Sequence, residues 1–482
     1  MDSRPNILLI TTDQQRFDTI RAAGNPHIRT PHLDWLCDTG IRFSNAYTDC
    51  PICIAARATI MTGRHGWRQG LTANRADVRP IRADLSLPGL LTRAGYQTRA
   101  QGKMHFVPNR CHYGFEEMEI LEDYYRRMAA RPDLGAPMDH GLGQNEMDVA
   151  LSTVDESNSL THWTVDRSID FLETRDPTRP FFLWTSFAKP HPPFDPCRNY
   201  WELYRDAEVP APVHGDWSAD ATSIPAGLLE PTLKLNMLPR LSQAQIRDAR
   251  RAYYACITQI DYNLGILLAR LREMDLFRRT LILFTSDHGE MLGDHHLGAK
   301  TIPHEGSARV PLILRPPQAD WEARHPRAGS VCPSLVCLAD LLPTCLAFAG
   351  VPCPAEAKSD GLNLFAAAEG EARRDVLFGE CEAFHFVRQG PWKYVFEDIG
   401  GTEQLFNLDD DPMERNELLR AGGHVERHGD LQRRLIGRLQ ATDHPAVRDG
   451  RLVARYRDPR DAIRPNAWPG FHSRAHPDEV AH

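Results

Sequence analysis

Short apolar runs alternate along this chain with longer stretches in which apolar residues return every three or four positions. Residues 6–12 (NILLITT) and 280–286 (TLILFTS) are continuous enough in apolar and β-branched side chains to be strands covered on both faces. Further strands are expected at 41–47, 97–103, 181–187 and 311–314. Helical spacing marks 31–39, 54–63, 87–94, 164–174, 244–274 and 334–350. Strands alternating with helices predict an α/β fold, a large mostly parallel sheet sandwiched by helices.

After about Leu362 the texture changes. Segments 376–380, 383–389 and 392–396 read as short strands separated by Gly and Pro, followed by a turn-rich stretch at 407–417 and a helix at 429–442. These predict a small antiparallel sheet covered by one helix. The expected organisation is a large α/β unit at 1–362, a smaller α+β unit at 363–442 and an extended arm rich in Arg, Pro and His at 443–482. Homo-oligomerisation through that arm is a further expectation. Segment 131–147 is rich in Gly, Pro and Asp and reads as a surface loop.

Composition narrows the class. With 42% hydrophobic and 25% charged residues over 482 positions, the balance is that of a globular protein. Nothing approaches eighteen consecutive apolar residues, so no membrane span is expected. The apolar stretch 7–10 is too short for a signal peptide's hydrophobic region, which leads to an expectation of cytoplasmic residence. Eleven scattered cysteines fit reduced thiols better than a disulfide framework. A formal net charge of −8 argues against general nucleic-acid binding and means that any anion site must bring its own cations.

Two acidic dipeptides end the two strongest strands: Asp13-Gln14 and Asp287-His288. Ligands of open α/β sheets bind beyond the carboxyl ends of strands. One strand-ending Asp, read alone, caps a turn. Two such pairs, one continuing into Gly289-Glu290, point to a shared divalent-metal site. Oxygen donors with one imidazole suit Ca2+, Mg2+ or Mn2+, the imidazole leaning toward Mn2+. Cys50-Pro51-Ile52-Cys53 has the spacing of a redox pair or half a zinc site, but no second CxxC accompanies it. Cys53 instead opens a helical pattern, where helix N-terminal amides favour negative charge, and Arg57 lies one turn further on.

From Cys53 the chain reads Cys-Ile-Ala-Ala-Arg to Arg57, followed by Thr62-Gly63-Arg64. This resembles the sulfatase signature, C-x-P/A-S-R with a trailing T-G-R, whose Cys is oxidised to formylglycine. Supporting segments are 6–13, Gly102-Lys103-Met104-His105, Pro190-His191-Pro192-Pro193, 286–290, Lys300 and 305–311, with Phe406-Asn407-Leu408, Asp411-Pro412 and Asn416 resembling the family's small C-terminal unit. The sequence departs from the family pattern at Ala55, Ala56 and Gln14. Gln14 with His288 resembles the choline-sulfatase and phosphonate-monoester-hydrolase branches, and Asn74 sits where the latter places a substrate-binding Asn. Lys103 with His105 favours sulfate.

The resemblance implies an alkaline-phosphatase-like sulfatase that cleaves sulfate monoesters. It implies one divalent ion, Ca2+ or Mn2+ ahead of Mg2+, held by Asp13, Gln14, residue 53, Asp287 and His288. It also implies 3-oxoalanine made from Cys53 by a formylglycine-generating enzyme. His191 and Lys300 would serve the leaving oxygen, Lys103 and Arg57 the sulfuryl oxygens, and His105 would be a base. Lys103 and His105, read as alternating on one strand, would share a face. Asn74 and His304 are expected at the substrate pocket. Loops 121–160 and 199–241 are the expected specificity determinants, and the substrate a small-molecule or carbohydrate sulfate ester. The alternative is a phosphonate monoester or phosphodiester hydrolase on the same scaffold; a metal- or anion-binding relative that keeps a thiol at Cys53 is the non-enzymatic reading.

Overall fold

Strand β1 (Asn6–Asp13) runs through the middle of an eight-stranded sheet with all eight of its residues buried. Its side chains alternate between two cores. Leu8 and Ile10 pack with Leu33 and Leu36 of helix α1 (Pro31–Thr39) and with Leu264 and Leu268 of the long helix Gln243–Glu273, while Ile7 and Leu9 pack with Ile60 and Met61 of helix α2 (Cys53–Thr62). A helix on each face is what the unbroken apolar run requires. This is a computed structural model; it describes residues 4–455 except 75–80, 221–222, 226, 230–240, 318–327 and 421. The expected self-association through the arm falls largely on 456–482, outside the described residues.

The remaining strands of this sheet are β2 (Ile41–Tyr47), β3 (Gln97–Gly102), β4 (Glu117–Ile120), β5 (Phe181–Pro190), β6 (Thr280–Ser286), β7 (Leu312–Arg315) and β8 (Ser330–Cys337). Their order is β4-β3-β5-β1-β6-β7-β2-β8. All pairings are parallel except those of β7, which runs antiparallel to both β6 and β2. β1 and β6 pair in register from Asn6↔Thr280 to Thr12↔Ser286, so the residues that follow, Asp13 and Asp287, emerge side by side.

The sequence expectation missed the strand Thr402–Asn407 and the helix Leu121–Ala130, and it misread both edges of the large sheet. The stretch 334–350 is not one helix: β8 occupies its start, and the helix covers only Leu341–Phe348. β8 is an edge strand, where Pro333 costs no ladder bond to a central neighbour. β4, with sequence EMEI, is the opposite edge, and its charged residues hid it from a search for apolar runs.

A second sheet is antiparallel, in the order β12-β11-β10-β9, with β9 Val376–Cys381, β10 Phe384–Gln389, β11 Trp392–Glu397 and β12 Thr402–Asn407. One face carries Val387, Tyr394 and Leu405 against Leu431, Leu435 and Leu439 of helix Val425–Gln440. The other carries Leu377, Phe386 and Val395 against Tyr47, Ala308 and Cys337 of the large sheet's surroundings. A buried charge cluster crosses the same boundary. Lys393 Nζ lies 2.9 Å from Glu305 Oε1 and 2.8 Å from Glu414 Oε1, all three side chains being 1% exposed or less.

Candidate active site

Helix α2 begins where Pro51 and an extended Ile52 hand the chain to Cys53, and it ends at Gly63, whose left-handed backbone (φ 64°) closes the last turn onto Thr59 O. Every residue from Cys53 to Met61 is buried. The helix N-terminus faces the carboxyl ends of β1 and β6, with Cys53 Sγ 3.9 Å from Asp13 Oδ1 and 3.2 Å from His288 Nε2. Arg57, one turn along, reaches between the two strand-end acids. Its Nε donates to Asp287 Oδ2 at 3.0 Å and its Nη2 to Asp13 Oδ2 at 3.1 Å. The same guanidinium donates to the Lys103 carbonyl and, at 2.8 Å, to Ser186 Oγ. This planar fork holds one oxygen of each carboxylate and leaves Asp13 Oδ1 facing residue 53.

Gln14 sits in the left-handed region (φ 69°), and its N–H donates to Asp287 Oδ1 at 3.1 Å, tying the two strand ends together. Its Nε2 donates to Glu290, so Oε1 is free to face Lys300, whose Nζ donates to it at 2.6 Å. His288 Nδ1 lies 2.9 Å from the Gly289 carbonyl. A carbonyl can only accept, so Nδ1 carries a proton and Nε2 is the ring atom that faces Cys53; burial lowers the ring's pKa, but Asp287 and Cys53 outweigh it and raise it. By the same logic His191 Nδ1 donates to Pro192 O at 2.8 Å, and His191 Nε2 accepts from Lys300 Nζ at 2.8 Å.

The electrostatics follow. Burial and Asp13 both push the Cys53 thiol up, yet Lys300, Lys103 and His288 outweigh them and hold it well below its ordinary value. The pocket therefore stabilises negative charge at the tip of residue 53. Burial raises Asp13 too, but Lys103, 2.9 Å away, with His191, Arg57 and His288, keeps its carboxyl low. Asp287 is pushed up to about 6 by burial and by the charge of Asp13. His191 is held well below its usual range by burial, then by Lys103 and Lys300.

Asp13, Cys53, Asp287 and His288 place one ligand atom each within 4.8 Å of one another, all buried. Oxygen donors, one imidazole and a carboxylate raised by its neighbour's charge are what a hard divalent cation would relieve. A second grouping, Glu380, His385 and His444, is different. Arg438 is paired with Glu380, and the Ala446 N–H donates to His444 Nδ1, leaving its Nε2 proton directed at Glu380. That grouping is an ion-pair network.

Above this floor opens a cavity of about 960 Å3. Cys53, Lys103, His105, His191, Lys300 and Asn74 all line it, and Asn74 Oδ1 accepts from the Ile54 N–H at 3.1 Å. Lys103 and His105 do not alternate on a strand. β3 stops at Gly102, and His105 has a left-handed backbone (φ 51°) with a buried, unpartnered Nδ1. Segment 121–160 supplies much of the wall, including Tyr124, Tyr125 and Met138, whereas no described residue of 199–241 does. Sequence reasoning passed over Ser186 and Lys189. Lys189 pairs with half-buried Asp195 and donates to Pro193 O at 2.7 Å, bracing the loop that carries His191. A Lys beside a His-Pro-Pro turn is the signal that could have found it.

His304 is a correction. It lies outside the cavity walls, fully buried, with its ring 5.0 Å from Trp217 and 5.9 Å from Phe406, and its Nε2 3.1 Å from Gln404 Oε1. His295 stacks on the same Trp217 at 4.4 Å and bonds Ser218 Oγ and Met413 O. Burial lowers His295 to about 4 and His304 well below its usual range. Both stay neutral in the fold but protonate near 6.5 when unfolded. Their stabilising contribution is therefore present above pH 6.5 and is lost as pH falls toward 4. The thermal midpoint is expected to drop between pH 6.5 and pH 4.5, with His295 alone accounting for about 2 kcal/mol. Phenylalanine at position 295 should flatten that acid limb; an unchanged slope would contradict the assignment.

The Sulfatase family model matches residues 5–351. An arylsulfatase of Clostridium perfringens is 32% identical over 94% of this chain and 98% of its own length, and a choline-sulfatase of Rhizobium meliloti is 31% identical over 86% and 82%. Among solved structures, the phosphonate monoester hydrolase of Agrobacterium radiobacter superposes with a TM-score of 0.76, at 24% identity over 91% of this chain and 96% of that one. At that identity it speaks for the fold alone. The family match across most of the chain, together with near full-length relatives above 30% identity, shows that this chain belongs to the sulfatase family and is a hydrolase of sulfate esters.

Proposed function

We propose that the chain cleaves sulfate monoesters with residue 53 in its formylglycine form and one divalent cation held by Asp13, Gln14, Asp287 and His288. The observation that carries this reading is the convergence of the two strand-end pairs on the buried tip of residue 53. Oxidation and hydration there would put two hydroxyls on one carbon where the thiol sulfur now lies, and a bound cation would favour the ionised form of one of them. A thiol would be a poor companion for an oxygen-ligated cation.

The chain's own residues have separable tasks. Arg57 fixes both carboxylates. Lys103 faces the cavity from the Asp13 side and offsets charge on sulfuryl oxygens. At the leaving oxygen, Lys300 is the proton holder in this geometry, since His191 Nε2 accepts from it. An incoming sulfate ester adds negative charge that opposes the Lys103 and Lys300 fields, so His191 gains proton affinity on binding and acts as the general acid. His105, with its free Nδ1 at the cavity wall, is the base that returns the site to its starting state. The cavity volume supports a small-molecule or carbohydrate sulfate over inorganic sulfate alone. Maturation requires a formylglycine-generating enzyme, and the eleven unpaired cysteines support a reducing, cytoplasmic setting. No helix among the described residues is long and apolar enough to cross a membrane.

Asn74, bonded to the start of α2 within the cavity, is the observation that favours the phosphonate monoester reading. Rates on matched aryl sulfate and aryl phosphonate esters separate the two, with sulfate expected to lead in kcat/KM by about tenfold or more. Chelation should abolish the activity, and Mn2+ or Ca2+ should restore it better than Mg2+. The peptide containing residue 53 should have the lower mass of the aldehyde. A fully active preparation retaining the thiol would end the proposal.

A further inference from the structure

The end of the large sheet opposite the active site carries a buried cation with no carboxylate partner among the described residues. β7 runs antiparallel to β6, with Arg315 opposite Ile282, so Arg315 sits near the start of the strand whose far end leads to Asp287. Its side chain is 6% exposed. Its Nη1 donates to Pro316 O at 3.1 Å, and its Nε is buried without a partner. Burial and the neighbouring Arg272 lower its pKa to about 10. Among the described residues no carboxylate forms an ion pair with Arg315, Arg272 or Arg278. An unpaired buried charge is costly unless something neutralises it.

The surroundings have the form of a receptor. Trp35, Arg272, Asp275, Phe277, Arg278 and Arg315 line a cavity of about 500 Å3. Arg272 lies over the Trp35 ring at 4.5 Å and over Phe277 at 5.0 Å; Arg315 lies over Phe277 at 4.1 Å and over Trp35 at 5.4 Å. Rings that cover guanidinium faces leave only the in-plane N–H edges for a ligand, and they hold those edges in place beforehand. In-plane N–H pairs match the oxygens of a tetrahedral oxyanion. Among the described lining residues, three cations accompany one carboxylate, that of Asp275.

We infer that this cavity is a second anion site, binding a tetrahedral oxyanion of the sulfate or phosphate class on Arg315 and Arg272, with Arg278 at the rim. It needs no part of the catalytic reading.

Isothermal titration of the full chain with sodium sulfate and with sodium phosphate, against sodium chloride at equal ionic strength, tests it. Crystals soaked in selenate, an isostere of sulfate, locate the anion. Selenate density between Arg315 and Arg272 is expected, together with a saturable solution site that Arg315→Met weakens by about tenfold or more. The sulfate and phosphate arms tell which anion is preferred. The exposed variants Arg272→Met and Arg278→Met should weaken the same site if Arg315→Met fails to fold. Chloride competing equally, density without solution binding (an adventitious ion only), or a carboxylate of the chain itself seated on Arg315 would each overturn the inference. A sulfate response lost only when Lys103 is changed would overturn it as well.

Discussion

Replacing Cys53 by alanine is expected to lower kcat on an aryl sulfate by about ten-thousand-fold or more, with little effect on folding. The two halves of this expectation rest on different physics. Residue 53 is the first residue of α2 and is 1% exposed, and alanine has the highest helix propensity, so the helix should form as before. The neighbours keep other anchors when the sulfur is removed. Asp13 and Asp287 are held by Arg57, Lys103 and the Gln14 N–H, and His288 by Gly289 O. What the variant loses is the atom at which the pocket concentrates positive potential. Lys103, Lys300, Arg57 and His191 would still bind the ester, so KM should change far less than kcat. That split distinguishes loss of a nucleophile from loss of a binding contact. An alanine variant within tenfold of wild type would mean that another group attacks, and the assignment of residue 53 would fall.

The parts of this site that could be read from sequence lie where an apolar run ends in chemistry. NILLITT and TLILFTS announce buried central strands, and acids placed immediately after them have few places to go other than the carboxyl edge of the sheet. That β1 and β6 are neighbours in register was not readable, because pairing between strands separated by more than two hundred residues is set by packing on both faces. Arg57 was readable through helical spacing from Cys53. Lys103 and His105 were misplaced on a strand because periodicity does not see that the strand already ends at Gly102, whose backbone is left-handed (φ 92°). His304 stood close to Lys300 in sequence and was drawn toward the pocket for that reason. In the fold, Lys300 lines the cavity, whereas His304 packs on Trp217. β8 was lost to a helical pattern because a run such as Leu335-Val336-Cys337-Leu338 carries no period that separates strand from helix.

Lys393→Met is expected to destabilise the chain by about 3–5 kcal/mol at pH 8, and by clearly less at pH 5.5. Lys393 is the only cation within ion-pair distance of Glu414 among the described residues, and it also meets Glu305, with all three side chains out of solvent. Removing it leaves two carboxylates facing one another in a dry boundary between the two sheets. Glu414 is already raised to about 7 by burial, against the opposing pull of Lys393 and with Glu305 adding to the rise. A carboxyl raised in the fold contributes stability that is fully present below its unfolded value, near 4.3, and is lost as pH climbs through 7. At pH 8 the variant must bury two negative charges. At pH 5.5 a protonated Glu414 can coexist with Glu305, and the backbone bond from the Glu305 N–H to Glu414 Oε2 survives at 2.7 Å. Denaturant titrations at the two pH values therefore give different losses if the lysine is there for charge balance. Equal losses would indicate that the lysine stem's packing against Phe386, whose ring lies 5.9 Å from Nζ, is what matters. Lys393, Glu305 and Glu414 do not line the active-site cavity, so a folded fraction of the variant should retain its kcat. A large fall in kcat without loss of stability would instead place this cluster in the catalytic machinery.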